Sequence, residues 1–269
     1  MALDSGLIWQ VARREAGLGI RSKAVWGVLV LVIVGTIFLV YSVAQSVERH
    51  EQHSAGVITL ILAIFLTVVL GMVIMMNTTL VGGSISEEKD HKVVEILLSA
   101  VRAEELYIGK ILGHSLIGIS QLVGLWLVVM MSAMIFGVAT LNEIPWGFCL
   151  AILFFTVLSY IFFTALYAIA GAIVSRNEDY MVAQIPVLFL FLGAMTLPLA
   201  PLINIGSYSD GWLPVVSVIP PFSMTSAPIV SALGESSIVL TFLAGTFLLF
   251  ATILCLSVGM KVFRSRLLR

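Results

Sequence analysis

The sequence predicts an all-α integral membrane protein with six transmembrane helices, and three observations carry that reading. Hydrophobic residues make up 60% of the 269-residue chain, with a mean hydropathy of +1.11. Charged residues make up 11%, under half of the roughly 25% usual in soluble domains. A soluble domain of this size could not hide that much apolar surface, so lipid is the expected solvent. Finally, the apolar residues come in runs of roughly 20, the length that crosses the hydrocarbon core, where only helices satisfy their own backbone.

Six runs have that length: 24–44, 55–83, 111–138, 146–174, 180–203 and 238–260. The second is long enough to tilt or to protrude from the membrane. The fifth contains Pro186, Pro198 and Pro201. Residues 1–23 carry Arg13, Arg14, Arg21 and Lys23; the loop 84–110 carries Lys89, Lys92, Arg102 and Lys110; Arg176 follows the fourth run; and the tail carries Lys261, Arg264, Arg266 and Arg269. If six spans alternate, 13 of the 14 basic residues lie on one side and only Arg49 on the other. The positive-inside rule then places both termini in the cytoplasm. An odd number of spans would break this partition. No cleavable signal peptide is expected, because the residues before the first run read as amphipathic. The net charge of −1 carries no nucleic-acid signal. Cys149 and Cys255 both sit in apolar runs and read as small core residues.

On the outer side, 45–54 and 139–145 are short loops. The third, 204–237, is longer and holds Trp212, four prolines, Ile229, Val230 and Leu233. A water-exposed loop has no use for that apolar content, so part of it is expected to be re-entrant or interfacial, packed on the bundle. On the inner side, residues 5–22 set Leu7, Ile8, Val11, Leu18 and Ile20 near one helical stripe beside Trp9 and paired arginines. That pattern suits a helix lying in the membrane interface. In 84–110, Ser84 and Glu87 fit a capping box, and Val93, Val94, Ile96, Leu97 and Leu98 form an apolar face. Glu88, Lys89, Lys92 and Glu95 lie mostly off that face, and a second short helix, 103–110, leads into the third span. The apolar face must be buried against the interface, the bundle or a partner protein.

The chain lacks the chemistry of an ATPase. Its single Gly-Lys pair, Gly109-Lys110, is followed by Ile111 and has Glu104 where a P-loop needs glycine. Glu87, Glu88 and His91 share a helical spacing that a metalloprotease-like zinc site could use, but His50, His53 and His114 fall elsewhere. A solvated helix face is the preferred reading, with no metal. A membrane scaffold or assembly factor is the third class. Polar residues within the spans are sparse, and no charge sits mid-membrane, which argues against a self-sufficient ion-coupled pump. Asn77, Thr78, Thr79, Ser132, Ser159, Thr164 and Thr196 fit interhelical hydrogen bonding, while Gln121 and Gln184 are the better candidates to line a pathway.

The run Ile85-Ser86-Glu87-Glu88-Lys89, then Val94-Glu95-Ile96-Leu97-Leu98-Ser99, then Glu105-Leu106 and Gly109-Lys110-Ile111-Leu112-Gly113 resembles the cytoplasmic loop of ABC-2-type ABC transporter permeases. The sodium-extrusion (NatB-like) subgroup is the most similar, and Ala12-Arg13-Arg14-Glu15 with Ile20-Arg21-Ser22-Lys23 resembles its opening. The resemblance covers nearly the whole chain. It implies a permease, working as an exporter in a prokaryotic plasma membrane, that pairs with a separate ATPase subunit binding ATP and Mg, and with a second permease copy or paralogue. It further implies a coupling helix docked on the ATPase through Glu87, Glu88, Lys89, His91, Lys92, Val94, Glu95 and Leu98. One departure stands out: only about ten residues, 45–54, join the first two spans, where NatB-like permeases carry a large extracellular domain.

Overall fold

The computed structural model describes residues 4–21, 23–49, 55–137, 146–199, 212–232 and 237–267, and every regular element among them is helical. The helices are α1 (Ser5–Arg21), α2 (Lys23–Arg49), α3 (Ala55–Asp90), α4 (Val93–Ala100), α5 (Ala103–Ile135) and α6 (Trp146–Ile173). They continue as α7 (Asn177–Ala183), α8 (Ile185–Thr196), α9 (Trp212–Val218), α10 (Ser223–Ala232) and α11 (Ile238–Leu267). A 3₁₀ turn, Leu197–Leu199, ends α8.

Five stretches are long and apolar enough to cross a membrane: Val68–Asp90, Ala103–Ile135, Cys149–Ile173, Asn177–Thr196 and Ile238–Arg266. The expected first span lies within α2, whose described apolar stretch, Val32–Ser42, is shorter than a full crossing. The fourth of these, where the fifth span is expected, is interrupted at Gln184, between α7 and α8, and Pro186 follows in the first turn of α8, where its missing N–H costs nothing. The end of the expected fifth span and the loop 139–145 lie outside the described residues.

The expected capping box at Ser84 does not form, because α3 does not start there. It runs unbroken for 36 residues from Ala55 to Asp90, roughly 54 Å at the α-helical rise, and the Ser84 hydroxyl donates within the helix to the Val81 carbonyl at 2.9 Å. The paired glycines Gly82-Gly83 do not break α3 because tertiary contact favours the helix there. A Cβ on Gly171 of α6 would strike the Gly82 carbonyl, and one on Gly82 would strike Tyr167 and Tyr180. Small residues let the two backbones meet. The separate helix expected over 103–110 is likewise the first part of α5, which continues without interruption to Ile135.

Two apolar clusters form the core. The larger fills the middle of the bundle with Leu70, Ile74, Leu122, Phe155, Tyr160, Phe163 and Phe191. The smaller lies toward the basic end, where Val81, Ile85, Val94, Leu106, Tyr107, Ile111 and Phe263 meet. Within 204–237, the described part is two short helices. The second, α10, is buried over 223–230 and packs on α3, α6 and α11, with the Thr225 hydroxyl donating to the Ala194 carbonyl at 2.8 Å.

Candidate functional site: the basic end of the bundle

Helix α1 is laid along α5 by local sequence. The Asp4 carboxylate caps α1 by accepting from the backbone N–H of Gly6 at 2.8 Å and of Leu7 at 3.4 Å. Gly109 and Gly113, one turn apart on α5, leave the groove that α1 fills. Cβ atoms there would strike Val11 and Ile8, and Ala12 and Glu15, respectively. The stripe facing α5 is therefore the buried Ala12 and Glu15 with the half-buried Ile8 and Val11 rather than the expected purely apolar one, while Trp9 and Leu18 are 59% and 54% exposed.

Glu15 is on the buried face because a cation waits there. Lys110 of α5 is fully buried, its Nζ 3.3 Å from the Glu15 carboxylate and 2.9 Å from that of Glu88 on α3. His114, one turn along α5, brings its Nε2 to 3.4 Å from Glu15. Burial alone would raise the Glu15 carboxyl above its ordinary 4.5, but the neighbouring His114 and the charge of Lys110 outweigh it and hold it at about 2. One lysine thus ties three helices together through two carboxylates.

Neighbouring contacts fasten the same end. The Lys89 ammonium donates to the carbonyls of Ala172 and Val174, at 2.6 and 2.5 Å, capping the C-terminus of α6. Glu105 accepts from the backbone N–H of Asp4 at 2.9 Å and of Arg102 at 3.2 Å. Glu104 pairs with Arg264 of α11 at 3.0 Å. The residues 1–23, 84–110, 175–179 and the tail that charge patterning placed on one side do meet at one end, wherever they are described.

From this anchored platform α3 ends at Asp90. His91 and Lys92 make a two-residue elbow, with Lys92 left-handed at φ 57°, and α4 follows. Glu87, His91 and Lys92 are exposed; Glu88 and Lys89 are engaged within the chain; Val94 is buried in the smaller core cluster, and Leu98 is half-buried against it. The Glu95 side chain lies outside the description. The face of α4 turned outward carries Ile96, 73% exposed, with Ser99 and Ala100. Ile96 is the residue that sequence reasoning missed. It was counted with the buried face, although its position two residues from Val94 puts it nearly opposite on a helix.

Of the two candidate pathway residues, Gln121 is buried and accepts from the Asn77 amide at 2.8 Å, across α3 and α5. Gln184 sits half-buried at the α7–α8 bend, with its amide 3.1 Å from the Met181 sulfur. Gln121 lines a small pocket with Leu29, Val73 and Asn77, and Gln184 is not among the residues that line it. A cleft of about 570 Å³ opens beside the charge cluster between α1, α3, α5 and α7. Among the described residues, no three His, Cys, Asp or Glu side chains gather as metal ligands.

A family model for the ABC-2 family transporter protein matches residues 45–258, well over half of the chain. The chain belongs to the ABC-2 transporter family. Membership places this ABC-2 protein in a family of membrane transport proteins. The ABC-2 chain is also similar to an uncharacterized protein of Methanocaldococcus jannaschii, 24% identical over 216 residues covering 78% of this chain and 52% of that protein. It therefore spans about half the length of the curated relative it matches.

Proposed function

We propose that this chain is the permease subunit of an ATP-driven exporter, turned by a separate ATPase that docks on α4 and the elbow before it. In this reading six spans cross a prokaryotic plasma membrane with both termini in the cytoplasm. Helix α1 lies in the inner interface with Trp9 and Leu18 toward lipid, and α9–α10 re-enter from outside. A second permease, identical or related, completes the pathway, and the sodium-extrusion subgroup remains the most similar in motif.

One observation supports the reading most: α3 is a single 36-residue helix that both lines the core and carries α4 at its tip. A continuous helix fastened by Lys89 and Glu88 moves as one body, so a push on α4 reaches the middle of the bundle. The exposed elbow and Ile96 supply the contact; Glu88, Lys89 and Val94 give that contact a stiff base.

The test is co-expression with an ABC ATPase encoded beside this gene, followed by reconstitution in nanodiscs. A variant with His91, Lys92 and Ile96 all changed to Ser should fold yet lose the ATPase on purification, and its vesicles should not transport. Should that variant keep both its ATPase and normal transport, docking lies elsewhere and the reading is wrong.

A further inference from the structure

The cleft beside the charge cluster has a wall with an unusual polarity: its hydrogen-bond donors are spent inward. The Asn77 amide nitrogen donates to the Val73 carbonyl at 2.9 Å and to Gln121 at 2.8 Å. The Thr79 hydroxyl donates to Met75 O at 2.8 Å, the Ser84 hydroxyl to Val81 O at 2.9 Å, and the Tyr180 hydroxyl to Thr79 O at 2.7 Å. Each group keeps lone pairs and has no free proton to offer. Glu87 adds an exposed carboxylate without an ion-pair partner among the described residues. Glu15 also lines the cleft, with its charge already answered by Lys110 and His114. Of the remaining polar groups, the His114 imidazole is turned to Glu15, and the Asn177 amide offers an oxygen as well as a nitrogen.

A wall of acceptors around one unpaired carboxylate selects a ligand that only donates. An ammonium group fits, having three N–H donors and no acceptor. The rest of the lining, Leu18, Leu80, Ile117 and Met181, is apolar and calls for a hydrophobic body behind that head. The volume of about 570 Å³ suits a small organic molecule, within the usual range of about 300–1,000 Å³ for such sites. We propose that this cleft binds amphipathic primary amines, with the ammonium on Glu87 and the Ser84 acceptor one turn away, and the apolar part running along α3 against Leu80 and Ile117. As a transport substrate, the amine rests on the exporter reading above; as a ligand, it does not, because binding belongs to this chain alone. The head could come from a free amine or from an aminolipid of the inner leaflet.

The experiment uses the purified full chain, without ATPase, in phosphatidylcholine nanodiscs, and dansylcadaverine as probe. Its dansyl ring reports transfer to an apolar site, and empty nanodiscs supply the partition background. Saturable binding is expected, with affinity lowered about fivefold or more in E87Q, retained in E87D, and lost for the probe acetylated on its amine. Glu87 is exposed, so E87Q should keep the fold, checked by an unchanged thermal transition. Equal binding of the acetylated probe, or of the amine to E87Q, overturns the proposal. A weaker apparent affinity when phosphatidylethanolamine replaces part of the phosphatidylcholine assigns the head to lipid, and an unchanged one assigns it to free amines. Failure to bind here leaves ATPase docking at α4 intact, and loss of that docking leaves amine binding intact, so the two readings fail separately.

Discussion

The middle of the bundle and its basic end are built by different rules. In the middle, hydroxyls bond to their own helix: Thr78 to Ile74 O, Thr164 to Tyr160 O, Thr252 to Leu248 O and Ser132 to Val129 O, all at 2.7–2.9 Å. Among the described residues, cross-helix polar contacts there, such as Asn77–Gln121, Tyr160 to His114 O and Thr225 to Ala194 O, join uncharged groups, and aromatic packing such as Phe163 on Phe191, centroids 4.9 Å apart, fills the space. At the basic end, polar groups bond across helices: Lys110 to Glu15 and Glu88, Lys89 to the end of α6, Glu104 to Arg264. Shape-only contacts allow helices to slide, whereas directional contacts hold them in one register. The difference marks a rigid end and a middle freer to slide; if an ATPase docks as proposed, the end would receive its force and the middle would yield to it.

The sharpest way to break this contrast is at Lys110. K110M leaves the half-buried Glu88 without a counter-charge and the buried Glu15 with His114 alone, and should cost about 3 kcal/mol, read as a lowered unfolding midpoint in detergent. The neutral triple variant E15Q/E88Q/K110M should recover much of that loss; if the triple is as unstable as the single, the cluster is not held by charge. Acid offers a gentler probe of the same cluster. Because the Glu15 carboxyl is held at about 2 instead of 4.5, its contribution is complete above about pH 4.5 and is lost as the pH falls toward 2. E15Q should flatten that part of the stability curve.

Smaller effects sharpen the comparison. K89M removes a charged cap from the end of α6 and should cost about 1–2 kcal/mol, with increased hydrogen exchange at Ala170–Val174 as the local signature. T164V, in the middle, should cost about 0.5 kcal/mol or less, since the Tyr160 carbonyl keeps its helical N–H partner. If T164V proves as damaging as K89M, the middle is not the shape-packed region described.

Hydropathy and charge count made the all-helical class and the gathering of basic segments legible, because both follow from transfer of whole segments into lipid. The same tools misplaced local breaks. Ser84 and Glu87 carry the composition of a helix start, yet Val81 and Ile85, on either side of Ser84, are core residues, and that burial continues α3 through the signal. The Glu15–Lys110–Glu88 cluster was equally hidden, since its members are far apart in sequence. Its trace was there to read: Glu15 follows Val11-Ala12 on the stripe that faces α5, and Lys110 lies among Ile108, Ile111 and Leu112. A charge embedded in an apolar face asks for a partner.

The uninterrupted course of α3 from its crossing with α6 to the left-handed residue at Lys92 also fixes a phase. Each added helical residue turns everything beyond it by about 100°. Between Gly82 and Asp90, residue count therefore acts as gearing: a single insertion would aim Ile96 sideways, and the same stroke from a motor would arrive as torsion instead of thrust.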